Sequence, residues 1–275
     1  MTADAREPVE SASGWGVLHL FYRIDHARAE QEPGGAKRAL DAIAALTAPP
    51  PGGPNSHQVL TFVALGHKAD LGVMAVGPDL ARLQAFQAEL EGAPLVPTWS
   101  YVSMTETSEY ATTEDDERAR LATEDGITDP AELEARVVVW RERIAHYREQ
   151  RVHPALPRRR TICFYPMSKR RVGPADGGDN WYALSFDERK RLMAGHARVG
   201  RGYAGRVTQL ITGSTGLDDW EWGVTLFADD PGDLKQIVYE MRFDEVSARY
   251  AEFGPFVTGL ILEPAEALRR VGLTE

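Results

Sequence analysis

One order of segments occurs twice along the chain, and this repetition limits the possible folds more than any other feature. Apolar patterns in the first half predict four strands (15–24, 57–65, 71–76 and 98–105) and two helices (37–46 and 80–90). Patterns in the second half predict the same order, with strands at 162–165, 207–212, 220–227 and 256–262 and helices at 185–201 and 233–253. Each half therefore predicts one ferredoxin-like unit.

Two such units can join their antiparallel sheets into one barrel faced by helices. The predicted fold class is accordingly α+β, with two ferredoxin-like repeats in a barrel of the dimeric α+β type. The predicted segments are a flexible N-terminus (1–13), an N-terminal half (14–110), a charged helical connector (111–150), a C-terminal half (151–264) and a tail (265–275). The run PPPGGPNS at 49–56 predicts a loop.

Composition excludes several classes of protein. The formal net charge of -10 argues against nucleic acid as the partner. No apolar run approaches the roughly 20 residues of a membrane helix, and the polar, acidic start lacks the pattern of a secretory signal. The one cysteine, Cys163, excludes a disulfide framework, a cysteine-built zinc site and an iron–sulfur cluster within one chain. We therefore expect a cytoplasmic protein without a membrane or nucleic-acid partner.

Charge is unevenly distributed along the chain. Residues 151–171 contain seven Lys or Arg residues and no acidic residue. A local positive region on an acidic protein is typical of a site for a small anionic ligand. Charge alone nevertheless favours the simpler interpretation, a solvated loop balanced by acidic neighbours.

The connector contains an apolar helical stripe, formed by Leu133, Val137, Trp140, Ile144 and Tyr147. A helix with such a stripe must pack against its own barrel or against a neighbouring subunit. We interpret it as architecture rather than chemistry.

His196 shares a predicted helical face with Leu192, Val199 and Tyr203, so its imidazole points towards apolar packing. Most histidines in such a position are hydrogen-bonded core residues. The position also suits a metal held through a single axial protein ligand, as in haem proteins. A bare zinc or non-haem iron site would need further ligands, and the neighbouring sequence offers none.

Tyr165 is predicted to leave a buried strand directly before Pro166, and Lys169 follows four residues later. The tyrosine is either a core aromatic residue or a redox-active phenol beside cations that hold carboxylates. Together with an apolar-face histidine, this arrangement favours a ligand that is flat and apolar in the middle and anionic at its edge.

Four stretches carry a resemblance to a known family: FYPMSKRR, DNWYALSFDERKRLMAGH, VTQLITGSTGLDDWEWGVTLFADDP and EMRFDEVSARYAEFG. They resemble coproheme decarboxylases of the chlorite dismutase superfamily. The resemblance is dense over residues 151–262 and only architectural over 14–110. It implies a homo-oligomer, usually a pentamer, of paired ferredoxin-like units with the porphyrin in the C-terminal half.

The resemblance also implies an activity, the last step of coproporphyrin-dependent haem biosynthesis. Such enzymes use hydrogen peroxide to convert the 2- and 4-propionates of iron-coproporphyrin III (coproheme) to vinyl groups, which gives haem b. The reaction passes through a tyrosyl radical and a three-propionate intermediate. The iron of the substrate is itself redox-active, and a ferrochelatase would be the upstream donor.

Residue roles follow from matching positions in those stretches. His196 resembles the neutral axial iron ligand, and Tyr165 the residue whose phenoxyl radical removes hydrogen from a propionate. Lys169 and Arg151 resemble the propionate anchors.

Five further residues match the pocket of the family. Gln209 resembles the distal glutamine above the iron, where true chlorite dismutases place an arginine. His153 is the candidate for the distal histidine that some decarboxylases use instead. Ser247 resembles a propionate-binding serine, although it could be a helix-surface hydroxyl. Met167 and Trp220 resemble residues that line the pocket, and both could equally be core residues.

The chain departs from the family in the long charged insert before Arg151 and in four extra residues within 172–178, which we interpret as loop changes. Three other functions stay open at this point. The chain could be a haem carrier or sensor without turnover, a chlorite dismutase or weak peroxidase, or an α+β barrel protein with an empty pocket.

Overall fold

A computed structural model of the chain describes residues 8–49, 56–172 and 179–274. Most of the predicted loop at 49–56, the region of the four extra residues within 172–178 and the first half of the predicted N-terminus lie outside the described residues. The end of that N-terminal segment packs against the chain, because the Val9 amide donates to Oδ1 of Asp79 (3.0 Å).

The described strands pair antiparallel throughout and form one sheet. They are β1 (Gly16–Ile24), β2 (Gln58–Ala64), β3 (Leu71–Gly77), β4 (Leu95–Thr105), β5 (Thr161–Lys169), β6 (Val207–Gly213), β7 (Trp222–Ala228), β8 (Ala251–Phe253) and β9 (Val257–Leu262). Their order is β7-β6-β4-β1-β3-β2-β9-β5-β8, and β7 also pairs with β5. That additional pairing closes eight strands into a barrel, so the predicted α+β barrel is confirmed.

Helices surround this barrel. They are α1 (His26–Gln31), α2 (Gly35–Thr47), α3 (Leu80–Glu91), α4 (Glu114–Thr123), α5 (Pro130–Val152), α6 (Phe186–Arg201), α7 (Pro231–Met241), α8 (Glu245–Tyr250) and α9 (Pro264–Arg270). α2, α3 and α9 pack on the N-terminal half, whereas α6, α7 and α8 pack together beside the C-terminal half. Within the described ranges no helix is both long and apolar enough to cross a membrane.

Alternate residues of each strand point into the barrel, where large apolar side chains fill the space. Phe62 is one of them, and its ring lies directly over two glycines. A Cβ atom at Gly72 would lie 2.1 Å from the Phe62 ring, and one at Gly259 would lie 2.4 Å from it. These glycines are required because the ring occupies the volume that a side chain would need.

The predicted start of α6 is confirmed. Ser185 and Glu188 form a reciprocal capping box, in which the serine hydroxyl accepts from the Glu188 amide and the Glu188 carboxylate accepts from the Ser185 amide. The helix that this cap begins carries His196.

The prediction of one continuous helix over 233–253 was wrong. α7 ends at Met241, and Asp244 caps a separate helix, α8, by accepting a hydrogen bond from the Ser247 amide. Residues 251–253 then form β8. The short Asp244 side chain competes with the helical backbone and so favours a new start at this point.

The predicted end of the strand at Tyr165 was also wrong, because β5 continues through Pro166 to Lys169. On one edge β5 pairs first with β9, up to Phe164, and then with β8, from Met167. The carbonyl of Pro166 accepts from Gly254 on this edge, so its nitrogen faces the gap between β9 and β8. A proline is tolerated there because no ladder hydrogen bond needs its missing N–H.

The connector contains two helices, and α5 packs on α4. Arg118 of α4 pairs with Glu134 of α5 (2.7 Å), and Arg141 of α5 pairs with Glu114 (3.0 Å). The predicted apolar stripe is partly covered: Val137 and Trp140 are buried, Leu133 and Ile144 are half-buried, and Tyr147 is 53% exposed.

Replacing Phe62 tests the packing of the barrel interior. Phe62→Ala leaves a cavity between two glycines that cannot fill it, and we expect the free energy of unfolding to fall by about 3–5 kcal/mol. Phe243→Ala, at a side chain that is 72% exposed, should change it by less than about 0.5 kcal/mol. Urea unfolding of both variants measures this difference, and equal losses would contradict the assignment of Phe62 to the core.

Candidate functional site

Strand β5 places three of the predicted site residues on one face. Tyr165, Met167 and Lys169 alternate along the strand, and they share the outward side with Cys163. Phe164 points the opposite way, into the barrel. The outer surface of β5, β7 and β6 is hereafter the Tyr165 face.

Gln209 belongs to the same face. It alternates on β6 with Val207 and Ile211, which pack in the same outer cluster as Tyr165. β7 lies between the two strands and brings Gln209 level with Cys163, so Gln209 is two strand spacings (about 10 Å) across the sheet and two residues along it from Tyr165. The Gln209 amide lies against α6, since a Cβ atom at Gly200 would be 3.1 Å from Nε2 of Gln209.

His196, on α6, binds the side chain of Asp244. Its Nδ1 atom lies 2.9 Å from Oδ2 of Asp244, the residue that caps α8. An ionised carboxylate only accepts hydrogen bonds, so Nδ1 carries a proton, and in the neutral form of the imidazole Nε2 keeps its lone pair. This is the arrangement that a carboxylate gives to a metal-binding histidine.

Asp244 accepts two further hydrogen bonds, both from Ser247. The Ser247 amide donates to Oδ1 (3.0 Å) and its hydroxyl donates to Oδ2 (3.1 Å). Burial alone would raise the pKa of Asp244, but the hydrogen bonds from His196 and Ser247, with the charge of His196 when its ring is protonated, outweigh burial and lower the pKa below its usual value. Asp244 therefore stays ionised. Sequence reasoning missed it, although Asp three residues before Ser247 is a helix-capping pattern.

Lys169 is a buried cation at one end of the Tyr165 face. Its Nζ lies 4.5 Å from the centroid of the Trp181 ring, and its amide donates to Oε2 of Glu221 (2.7 Å). Burial lowers the pKa of Lys169 to about 8, although the charges of Asp244 and Glu221 raise it. The ammonium is thus charged at neutral pH in an environment that disfavours charge, and a carboxylate ligand would stabilise it.

Tyr165 is a buried phenol among other aromatic rings. Its ring stacks on Phe256 at 4.3 Å between centroids, and Phe253 lies 5.8 Å away. Burial, with a small contribution from Cys163, raises the pKa of Tyr165 well above its ordinary value. The hydroxyl consequently holds its proton at neutral pH.

Arg151 lies in the last turn of α5. Burial raises the pKa of Glu106, an effect that the Trp222 indole and the nearby charge of Arg151 oppose. Trp222 donates to Oε1 of Glu106 (3.2 Å) and pairs with Met167 across the strands. Arg151 is therefore placed towards the Met167 end of the face.

His153 caps the C-terminus of α5, where Nδ1 contacts Oε1 of Glu149 (2.6 Å) and the ring lies 4.9 Å from the Trp15 ring. Trp220 precedes β7 and packs with the barrel-interior cluster, close to Gly254. The tryptophan that shares the Tyr165 face is Trp222, two residues further on.

A cleft of 350 Å³ opens at the Lys169 end of the site. It is lined by Ser168, Lys169, Arg171, Val172, Asp219, Trp220 and Glu252. Lys169 and Arg171 supply the positive charge of this opening, and Asp219 and Glu252 supply negative charge.

The pH dependence of stability tests the environment of Lys169. The pKa of this residue falls from 10.5 to about 8 in the folded chain, so between these values the unfolded chain binds more protons and stability rises with pH. Lys169→Met removes the charge but keeps a side chain of similar length. The free energy of unfolding of the parent protein minus that of Lys169→Met should therefore rise by up to about 3 kcal/mol between these two pH values. Urea unfolding at about pH 7, 8.5 and 10 measures it, and parallel curves for the two proteins would contradict the assignment.

Comparison with known proteins identifies relatives over nearly the whole chain. A candidate haem-binding protein of Natronomonas pharaonis is 41% identical over 270 residues, which are 95% of this chain and 41% of the relative. The chain thus spans less than half the length of that relative. A solved structure described as a novel heme-binding protein from Thermus thermophilus is 36% identical, with a TM-score of 0.73, and the match covers 97% of this chain and 98% of that one.

Chlorite dismutase from Candidatus Nitrospira defluvii shares the fold at 17% identity, with a TM-score of 0.67 over 95% of this chain and 96% of that one. The sequence profile of the chlorite dismutase family matches residues 36–262, which include every strand of the barrel except β1, the connector and all the predicted site residues. The chain belongs to the chlorite dismutase family.

Proposed function

We propose that this protein binds an iron porphyrin through Nε2 of His196 and converts iron-coproporphyrin III to haem b with hydrogen peroxide. The observation that carries the proposal is the hydrogen bond between Nδ1 of His196 and Asp244, which leaves Nε2 free to bind a metal. The names of the relatives from Natronomonas pharaonis and Thermus thermophilus, both of which mention haem binding, support the choice of ligand.

The donor set of the site fits such a ligand. His196 supplies one neutral nitrogen ligand, and the carboxylate of Asp244 makes the imidazole a stronger donor. The apolar side chains of the Tyr165 face suit a flat macrocycle, and Lys169 suits its acid arms. The iron of the substrate supplies the oxidising power when peroxide is present.

Tyr165 is the residue that acts on the propionate in this proposal. Burial keeps its phenol protonated, so the ring loses an electron only together with its proton. The resulting phenoxyl radical takes a hydrogen atom from the propionate, which then loses carbon dioxide and a second electron. Each propionate gives one vinyl group, one carbon dioxide, one proton and two electrons, and those electrons with two protons reduce one hydrogen peroxide to two waters.

Cations at two places on the site hold the acid arms. Lys169 binds one carboxylate as a buried point charge, and Arg151 offers a fork of donors towards the Met167 end. The Ser247 hydroxyl, already directed at Asp244, lies on the side of His196. Two anchored arms that react in turn account for a three-propionate intermediate.

Gln209 bears on the choice of reaction within the family. Its neutral amide lies on the Tyr165 face beside α6, where it can donate or accept a hydrogen bond but supplies no cation for a chlorine oxyanion. This favours decarboxylation over chlorite dismutation. His153, bound to Glu149, is less suited than Gln209 to act above the iron.

The proposal extends to the surroundings of the protein. It includes self-association into a pentamer, ferrochelatase as the donor of the substrate, and the cytoplasm as the location. The exposed apolar side chains of α5, Val139 (64%) and Tyr147 (53%), are available for contact with a second copy.

Mass spectrometry of the porphyrin tests the activity. The purified protein with iron-coproporphyrin III and peroxide should produce two stepwise losses of a formic-acid equivalent. Tyr165→Phe should still bind the porphyrin and abolish both losses, because phenylalanine cannot form the radical. Tyr239→Phe, at an exposed tyrosine, is the matched control and should react normally.

Other outcomes would replace the proposal. Normal turnover by Tyr165→Phe would show that the radical assignment is wrong. Tight porphyrin binding with only slow bleaching by peroxide would indicate a carrier or sensor, and oxygen release from chlorite would indicate chlorite dismutase activity. The absence of any Soret shift would indicate that no porphyrin binds.

A further inference from the structure

The start of the connector, together with Tyr110 directly before it, contacts α6, the helix that carries His196. Lys190 of α6 donates to Oδ2 of Asp116 in α4 (2.7 Å), and Nε of Arg189 donates to the hydroxyl of Tyr110 (3.1 Å). Both donors lie near the N-terminus of α6, and both acceptors lie at or just before the start of α4. The connector is thus attached to the helix of the candidate iron ligand.

Tyr110 also packs its ring among aromatic residues at the beginning of α6. It stacks on Phe186 at 5.8 Å and meets the edge of Trp181 at 6.3 Å. Trp181 in turn packs on Tyr250 of α8 (5.3 Å). These rings, with Leu192 of α6, form a separate apolar cluster that joins the connector, α6 and α8.

The carboxylate of Asp116 is itself held in place. It accepts hydrogen bonds from both the amide and the hydroxyl of Thr113 (2.8 and 2.7 Å), in the capping box of α4. The hydrogen bond from Lys190, and then those from Thr113, lower the pKa of Asp116 to about 2. Asp116 therefore stays ionised at neutral pH, and the α4 cap holds its carboxylate in place for Lys190.

A helix transmits a displacement along its axis because its backbone is stiff. His196 follows Lys190 by six residues in α6, which is about 9 Å along the helix. The C-terminal part of α6 touches the Tyr165 face where Gly200 meets Gln209. The Tyr110 and Asp116 contacts hold the other end of the helix, so the imidazole lies between two supported points.

We propose that Tyr110 and Asp116 are positioning residues that hold the N-terminal end of α6 against the connector and so keep His196 in place for a bound porphyrin. The inference rests on the proposed function, since it takes His196 as the iron ligand. The connector would then help to retain the porphyrin, a role that its sequence pattern does not show. Loss of these contacts would free the N-terminal end of α6 and speed the release of the porphyrin.

Variants of Lys190 and Tyr110 separate this role from general stability. Lys190→Gln removes the charge and spares the α4 cap, which Asp116 variants would break. Tyr110→Ala removes the hydroxyl and the ring contacts. Lys190→Arg restores the ion pair, and Arg118→Gln removes an equivalent cation whose partners, Glu114 and Glu134, lie within the connector.

Two measurements are made on each full-length variant. Hydrogen exchange of the porphyrin-free protein reports the opening of α6, with β1 and α2 as references for overall folding. The rate at which iron-coproporphyrin III passes to an excess of apomyoglobin reports its release. Because the Lys190 pair is part-exposed and therefore screened, both rates should also rise in about 1 M salt in the parent protein.

A partly exposed ion pair changes an equilibrium by a factor of up to about 5. We expect Lys190→Gln to speed α6 exchange and porphyrin release by about 2–5-fold, and the Tyr110→Ala/Lys190→Gln double variant to speed both by tenfold or more. Lys190→Arg and Arg118→Gln should match the parent. Exchange in β1 and α2 should be unchanged in every variant.

Unchanged α6 exchange and release in the double variant would overturn the inference, as would an equal effect of Arg118→Gln. Faster exchange in β1 and α2 as well would also overturn it, because the contacts would then stabilise the fold as a whole. If the parent protein bound no iron porphyrin, the proposed function would fail. The exchange of α6 in the porphyrin-free protein would still decide whether the connector holds the helix.

Discussion

The candidate site depends on one hydrogen bond, between Nδ1 of His196 and the buried carboxylate of Asp244. A carboxylate cannot donate, so this bond fixes the tautomer of the imidazole and leaves Nε2 as the free nitrogen. It also joins α6 to the cap of α8, where Ser247 gives Asp244 two more donors. One ionised side chain thereby orients the candidate ligand, begins a helix and remains charged despite its burial.

The closed barrel fixes the arrangement of side chains on the Tyr165 face. Pairing of β5 with β7 fixes which side chains point outward, so Tyr165 and Lys169 share one side with Gln209. The ammonium of Lys169 on this face is buried against the ring of Trp181. Its pKa is lowered because the folded chain disfavours the charge, and this burial reduces stability. An anionic ligand beside Lys169 would offset this unfavourable burial.

Local patterns in the sequence predicted the elements and the Ser185–Glu188 cap of α6, because each depends on spacing within one segment, and the repeated order of the elements then predicted the barrel. What they missed depends on contacts between distant segments. The extension of β5 beyond Pro166 requires the gap between β9 and β8, and the role of Asp244 requires α6 to pass beside it. The sequence likewise predicted the connector helix with the apolar stripe, now α5, but neither α4 as a separate helix nor the attachment of the connector to α6. The positions of Trp220 and Trp222 on different sides of the sheet follow from the start of β7.

The most direct test of the central claim is resonance Raman spectroscopy of the ferrous coproporphyrin III complex, for the protein and for His196→Gly. We predict an iron–imidazole stretching band in the protein, its loss in the variant, and its return when free imidazole fills the vacated space. A band that persists in His196→Gly, or a protein spectrum without one, would contradict the assignment of His196 as the iron ligand.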